Sequence, residues 1–197
     1  MDTGNKTMEP SMRITQVVIL LVAMLSILSF AEKSTRLTLS NELKRGIIPD
    51  FFVLEKNGID ELYRDDIKEA VKKTGAKRVV LSFFATYCVP CREEFSILKN
   101  NKGELEKRGI LVYLIDVGED IRSSGGKVSE MVEKNAGDSF PYYFDPNVIL
   151  FKSFGLVKQG EDPSLPLTIV LNSNLKAVGI LKGKMGSDFP QVLWGEL

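Results

Sequence analysis

The chain has 197 residues, 44% of them hydrophobic, and its 26 basic and 26 acidic side chains cancel, which suits one domain with a proper core and a short appendage. No basic stripe interleaved with aromatic residues runs along it, so the footprint of a nucleic-acid binder is missing and no nucleic-acid partner is expected. Histidine is absent, and cysteine occurs only as Cys88 and Cys91; the commonest general base and metal ligand is thereby removed, and the two thiols must carry the chemistry.

In chain order, the first feature is an uncharged run from Ile14 to Ala31 containing "VVILLVAML", with Ser29 and Ala31 as small residues at the spacing a signal peptidase prefers. Its length lies between a signal-peptide core and a full membrane span of about 20 residues. Residues 1–31 are therefore expected to be a signal peptide or a retained membrane anchor. Lys6 and Arg13 precede the run and Lys33 and Arg36 follow it, so the flanking charges do not orient it. This segment predicts export, with the domain on the periplasmic or extracytoplasmic side, and membrane association through residues 14–31 if the anchor is retained. A polar linker over 32–46 and a domain over 47–197 follow.

The domain reads as alternating strands and helices. "DFFVLEKNGIDELY" carries two short apolar runs about Asn57-Gly58, a hairpin turn pair, so a β-hairpin should open it. Asp65 to Lys73 sets Ile67, Ala70 and Val71 on one helical face, with Gly75 as the stop. "RVVLSFFA" is a continuous apolar run, as expected of a strand buried on both faces. "REEFSILKNNKGELEKRG" reads as one helix, "ILVYLIDVG" as a second buried strand, and "KVSEMVEKN" as a helix presenting Val128, Met131 and Val132. "LTIVL", "NSN" and "LKAVGILKG" make an antiparallel hairpin, and a tail around Trp194 reads as a last helix. Strand–helix alternation predicts an α/β domain whose sheet core is parallel and whose last hairpin makes it mixed.

Both thiols follow directly on the central strand. A cysteine at a strand-to-helix step meets unpaired backbone N–H groups and the helix dipole, which favour an anion, so Cys88 should attack as a thiolate. Cys91, three residues on, shares its helix face and can resolve a mixed disulfide formed at Cys88. Pro90 suits a first helical turn, where a missing N–H is tolerated. A zinc site would need four ligands, and no further cysteine or any histidine completes one, so no metal is expected. A purely structural bridge would close too small a loop to constrain much of the unfolded chain. Glu93 and Glu94 read as favourable acids in the first turn of the helix.

"FFATYCVPCREEF" resembles the active-site segment of TlpA-like and ResA-like thioredoxin-fold thiol-disulfide oxidoreductases of the redoxin family. "IIPDFFVLEKNG", "SFPYYFDP" and "LPLTIVLNSNLKAVGILKG" are similar to the family's opening, middle and closing segments in the same order, so the resemblance runs from about Ile47 to Gly183. It implies a thioredoxin-like fold, a central mixed sheet flanked by helices, behind the N-terminal hairpin and the signal or anchor segment. It also implies that Cys88 is the nucleophile and Cys91 the resolving thiol, with Pro166 the cis-proline facing the disulfide. Leu165, Tyr87 and Pro90 would complete the surface that holds the substrate chain. Sequence alone leaves the Leu165–Pro166 bond open between cis and trans, and Pro141 competes for the same role. No cofactor beyond the redox-active Cys88–Cys91 disulfide is implied. The expected partners are a disulfide-containing protein substrate and a membrane thiol-disulfide transporter as electron donor, in cytochrome c maturation or related thiol repair.

Departures from the family pattern bear on the pocket. Phe84 and Tyr87 stand where tryptophans are usual, and Ser82 stands where thioredoxins carry a buried acid six residues before the first cysteine. Two other readings stay open: a thioredoxin-like metallochaperone or binding module, and a peroxidase-type redoxin. Copper chaperones of this kind add a histidine, which this chain lacks, leaving Met131 and Met185 to core or surface. The peroxidase expects a threonine three residues before the reactive cysteine, where this chain has Ala85.

Overall fold

The computed structural model describes residues 52–55, 60–156 and 164–195. The apolar run at 14–31, the linker and the Asn57-Gly58 turn lie outside these. Among the described residues seven strands form one sheet in the order β2-β1-β5-β4-β3-β6-β7, where β1 is Phe52–Glu55, β2 Glu61–Tyr63, β3 Arg78–Phe84, β4 Ile110–Val117, β5 Tyr142–Asp145, β6 Leu167–Asn172 and β7 Ala177–Lys182. The predicted opening hairpin is present, β1 pairing antiparallel with β2. β3, β4 and β5 run parallel, and β6 and β7 close the sheet antiparallel, so it is mixed about a parallel core.

Local chemistry explains the helices. α1, Arg64–Thr74, has Asp65 and Asp66 in its first turn and Lys72 and Lys73 in its last, matching the macrodipole. It stops at Gly75, whose φ of 68° is a left-handed cap that glycine adopts without strain. The single helix predicted after the cysteines is instead two, α2 at Val89–Asn100 and α3 at Lys102–Lys107. The Asn101 side chain donates back to the Ile97 carbonyl at 2.8 Å, the local competition that makes asparagine a helix breaker. α4, Ile121–Asn135, begins before the predicted segment because Asp120 caps it, accepting from the N–H groups of Arg122 and Ser123. A short α5, Ile149–Ser153, was not legible in the sequence, and α6, Phe189–Trp194, is the tail helix.

The strand pleat divides the core in two. Val79, Leu81 and Phe83 of β3 face a cluster with Ile67 and Val71 of α1 and with Leu150 and Phe151 of α5. Val80 and Phe84 face the other cluster, with Phe95 and Leu98 of α2, Met131 and Val132 of α4, and Phe189 and Leu193 of α6. Alternate side chains of a strand point to opposite faces, which is how one largely apolar strand serves both layers. Edge-to-face ring pairs tie strand to helix on each side, Phe83 to Phe151 at 5.2 Å and Phe84 to Phe95 at 4.9 Å. Met131 and Met185 are both core residues.

Candidate active site

The two cysteines lie where the central strand hands over to α2. Cys88 is the residue preceding the helix, in an extended conformation, and Val89-Pro90 forms its first two positions. Cys88 and Cys91 are joined as a disulfide with Cα atoms 5.4 Å apart. Both cysteines are buried in this state, Cys88 at 5% exposure and Cys91 at 1%. Cys88 is the more accessible of the two, although Phe84, Phe95 and Met185 share its cluster and keep it from open exposure. Tyr87 and Val89 flank the bridge as exposed apolar side chains, at 65% and 59%, and Pro90 is half-buried. Phe84 does not cover the bridge from solvent but packs beneath it in the core.

Pro166 arrives at the same place through sheet register. Phe83 pairs with Leu167 across β3 and β6, so Pro166, one residue outside that pair, sits by the end of β3 from which the chain leaves toward Cys88. Its bond to Leu165 is cis, and its carbonyl accepts from the Gly183 N–H at 2.9 Å. Pro166 is buried and Leu165 half-buried, Leu165 packing against both core clusters, one of which contains the cysteines. Pro141 is exposed and precedes β5, where its carbonyl accepts from Leu114 N–H at 3.0 Å. It joins two parallel strands rather than facing the thiols.

The structure overturns the reading of Glu93 and Glu94 as a pair of first-turn acids, because α2 starts three residues earlier than that reading assumed. Glu93 stays at the surface, paired with Lys184 at 2.6 Å. Glu94 is 1% exposed and accepts from the Met185 N–H at 2.9 Å. Burial pushes its pKa up to about 7, against the pull of that hydrogen bond. The spacing could have shown it: Cys91, Glu94, Phe95 and Leu98 are i, i+3, i+4 and i+7, the buried stripe of a helix.

Three further residues were missed. Thr86, between strand and cysteine, donates its N–H and its hydroxyl to the two carboxylate oxygens of Glu119, each at 2.6 Å. Its carbonyl accepts from Arg92 Nη2 at 2.8 Å. Asp116, near the end of β4, is fully buried with neither carboxylate oxygen hydrogen-bonded. Burial first, and the neighbouring Glu119 side chain second, push its pKa up to about 9. An acid inside the otherwise apolar "ILVYLIDV" was the available sequence clue. Beside this turn runs a groove of about 410 Å³ lined by Thr86, Arg92, Lys127, Glu130, Met131, Lys134 and Asn135. Among the described residues no group of three or more Cys, Asp or Glu side chains is placed to hold a metal ion.

Comparison with known proteins gives consistent results. The chain is 26% identical over 135 residues to the thiol-disulfide oxidoreductase ResA of Bacillus subtilis, covering 68% of this chain and 65% of that one. It is 26% identical over 115 residues to the ResA of Halalkalibacterium halodurans, covering 58% and 59%. It thus spans somewhat less than two thirds of the length of each. Among solved structures, a thiol:disulfide interchange protein of the thioredoxin family from Chlorobium tepidum superposes with a TM-score of 0.54 at 20% identity, covering 74% of this chain and 91% of that one. The fold is therefore thioredoxin-like, as the sequence led one to expect. Residues 47–178, well over half the chain, match the family described as AhpC/TSA, and the chain belongs to that family.

Proposed function

We propose that this chain is an exported thiol-disulfide oxidoreductase that reduces disulfides in protein substrates on the extracytoplasmic side of the membrane. The observation that carries the reading is the Cys88–Cys91 pair at the N-terminus of α2, with Cys88 as the more accessible residue. In the reduced state the Cys88 thiolate, favoured by the helix N-terminus, attacks a substrate disulfide. A Cys88–substrate bond forms, and one substrate sulfur leaves as a thiolate. The Cys91 thiolate then attacks Cys88 Sγ, which closes the Cys88–Cys91 disulfide and frees the second substrate thiol. Two electrons pass from the dithiol to the substrate, and a membrane thiol-disulfide transporter returns them. The relatives' names support this assignment of chemistry, and the uncharged run at 14–31 supports export.

Cys91 must lose its proton to resolve the intermediate. Ser82 cannot take it as a carboxylate would, whereas Glu94, one helical step from Cys91 and with its pKa brought to about 7, is matched to that task. Leu165 and Pro166, with exposed Tyr87 and Val89 beside the bridge, form the surface on which the substrate chain would lie. The peroxidase reading lacks its hydroxyl, since buried Ala85 stands three residues before Cys88.

The test is a cysteine trap in the full-length chain. Cys88→Ser should abolish insulin reduction, while Cys91→Ser should hold substrates as mixed disulfides that reductant releases from a non-reducing gel. Capture by Cys88→Ser and not by Cys91→Ser would reverse the nucleophile, and retained turnover in both variants would end the redox reading.

A further inference from the structure

β3 and β4 run parallel and so finish at the same edge of the sheet, the end at which parallel strands carry their functional loops. Thr86 stands two residues past β3 and Glu119 two past β4. Glu119 takes both donors of Thr86, N–H and Oγ–H, at 2.6 Å, a two-pronged charge-assisted contact of the stronger kind. Arg92 takes the remaining polar group, the carbonyl. Every hydrogen-bonding group of Thr86 is therefore engaged, by two different elements. Only Tyr87 separates it from Cys88, whose own N–H donates to the Ala85 carbonyl at 3.0 Å. Residues 85–88 form a tight turn with its middle pinned.

Resting on the oxidoreductase reading above, we propose that Glu119 is a positioning residue for the thiol-disulfide chemistry: it grips Thr86 and thereby fixes the turn that presents Cys88 to the substrate. Asp116 belongs to the same device. It is flanked in the sheet by Phe84 and Phe144, and the charged groups acting on it are Glu119 from the following loop and Asp145 from β5. Asp145 is in turn held by the N–H groups of Ile149 and Phe151 and faced by Lys152. Buried between these rings, Asp116 favours its protonated form, which would place no second full charge beside Glu119. The grip needs the Glu119 acceptor oxygens more than its charge, and this separates it from a generic electrostatic effect.

The experiment compares Glu119→Ala, Glu119→Gln and Thr86→Val in the full-length chain, with two readouts. These are kcat and KM for insulin reduction, and the pH profile of Cys88 alkylation by iodoacetamide in the reduced protein. Glu119→Ala should lower kcat/KM about tenfold, mostly in kcat, as displacement of a reacting group does, and should move the midpoint of the alkylation profile. Glu119→Gln keeps an oxygen for the Thr86 N–H and should recover activity to within about threefold of the parent. Thr86→Val should add nothing to Glu119→Ala, because both break one contact. Wild-type turnover and alkylation in Glu119→Ala would overturn the proposal, as would Glu119→Gln being equally impaired. Should Glu119→Ala fail to fold, Glu119→Gln and Thr86→Val decide by the same two readouts. If the parent chain reduces no disulfide, the oxidoreductase reading fails by itself, and the alkylation profiles still decide whether Glu119 positions Cys88.

Discussion

Replacing Asp116 by asparagine should flatten the pH dependence of stability. In the unfolded chain this carboxyl titrates at its ordinary value near 3.8; folded, burial and Glu119 raise it to about 9. Below about pH 4 both states hold the proton and the folded chain suffers no penalty. Between the two values the folded state keeps a proton that the unfolded state has released, so stability falls as pH rises, and above about 9 the loss is complete. Over the roughly 3 units from pH 5 to pH 8, at about 1.4 kcal/mol per unit, Asp116 alone should remove on the order of 4 kcal/mol. The asparagine of the Asp116→Asn variant carries no charge at any pH. Its buried amide adds a roughly pH-independent cost of about 1–3 kcal/mol, so the slope and not the absolute stability is the quantity to compare. Urea unfolding of the oxidised full-length chain at pH 5, 6.5 and 8 measures it, because Glu94 and Asp145 contribute equally to both proteins. Parallel profiles for wild type and Asp116→Asn would refute the reasoning.

The same logic gives Glu94→Gln a smaller effect in a lower window: its folded pKa near 7 against an ordinary 4.5 predicts about 3 kcal/mol lost between those pH values in wild type and absent in the variant. In turnover assays Glu94→Gln should also erase the inflection near neutral pH in the resolving step, measured by decay of the mixed disulfide. Pro166→Ala should lower kcat/KM for insulin about tenfold, the effect of roughly 1.4 kcal/mol of lost docking. Pro141→Ala should leave it nearly unchanged, and equal losses from the two would remove the special place given to Pro166.

What the sequence made legible follows from which forces act locally. The apolar run of β3, the strands flanking Asn57-Gly58 and the Gly75 stop depend on neighbours in the chain, and all were placed. The Cys88–Cys91 spacing was legible for the same reason, a helix geometry contained within four residues. The break at Asn101 was missed because one side chain bonding back to Ile97 outweighs an otherwise helical composition. α5 was missed because its start depends on Asp145, whose carboxylate collects the N–H groups of Ile149 and Phe151. Thr86 and Glu119 are 33 residues apart and meet only because two strands run parallel, so no local pattern could pair them.

Two buried acids, Glu94 and Asp116, stand in a chain that has no histidine. Thiol-disulfide exchange near neutral pH needs a group that can take and return a proton there, and a chain without imidazole has no side chain whose ordinary pKa lies in that range except by perturbation. Burial supplies the perturbation. Glu94, on the buried stripe of α2 with Cys91, is raised to about 7, which suits it to the proton transfer proposed above. Asp116 is raised further, burial favouring its protonated form next to the Glu119 side chain. The core is therefore less stable above pH 7 than an apolar one of the same size would be. Two apolar clusters, one on each face of the sheet, work against that loss, so acids at these two positions are compatible with a folded core.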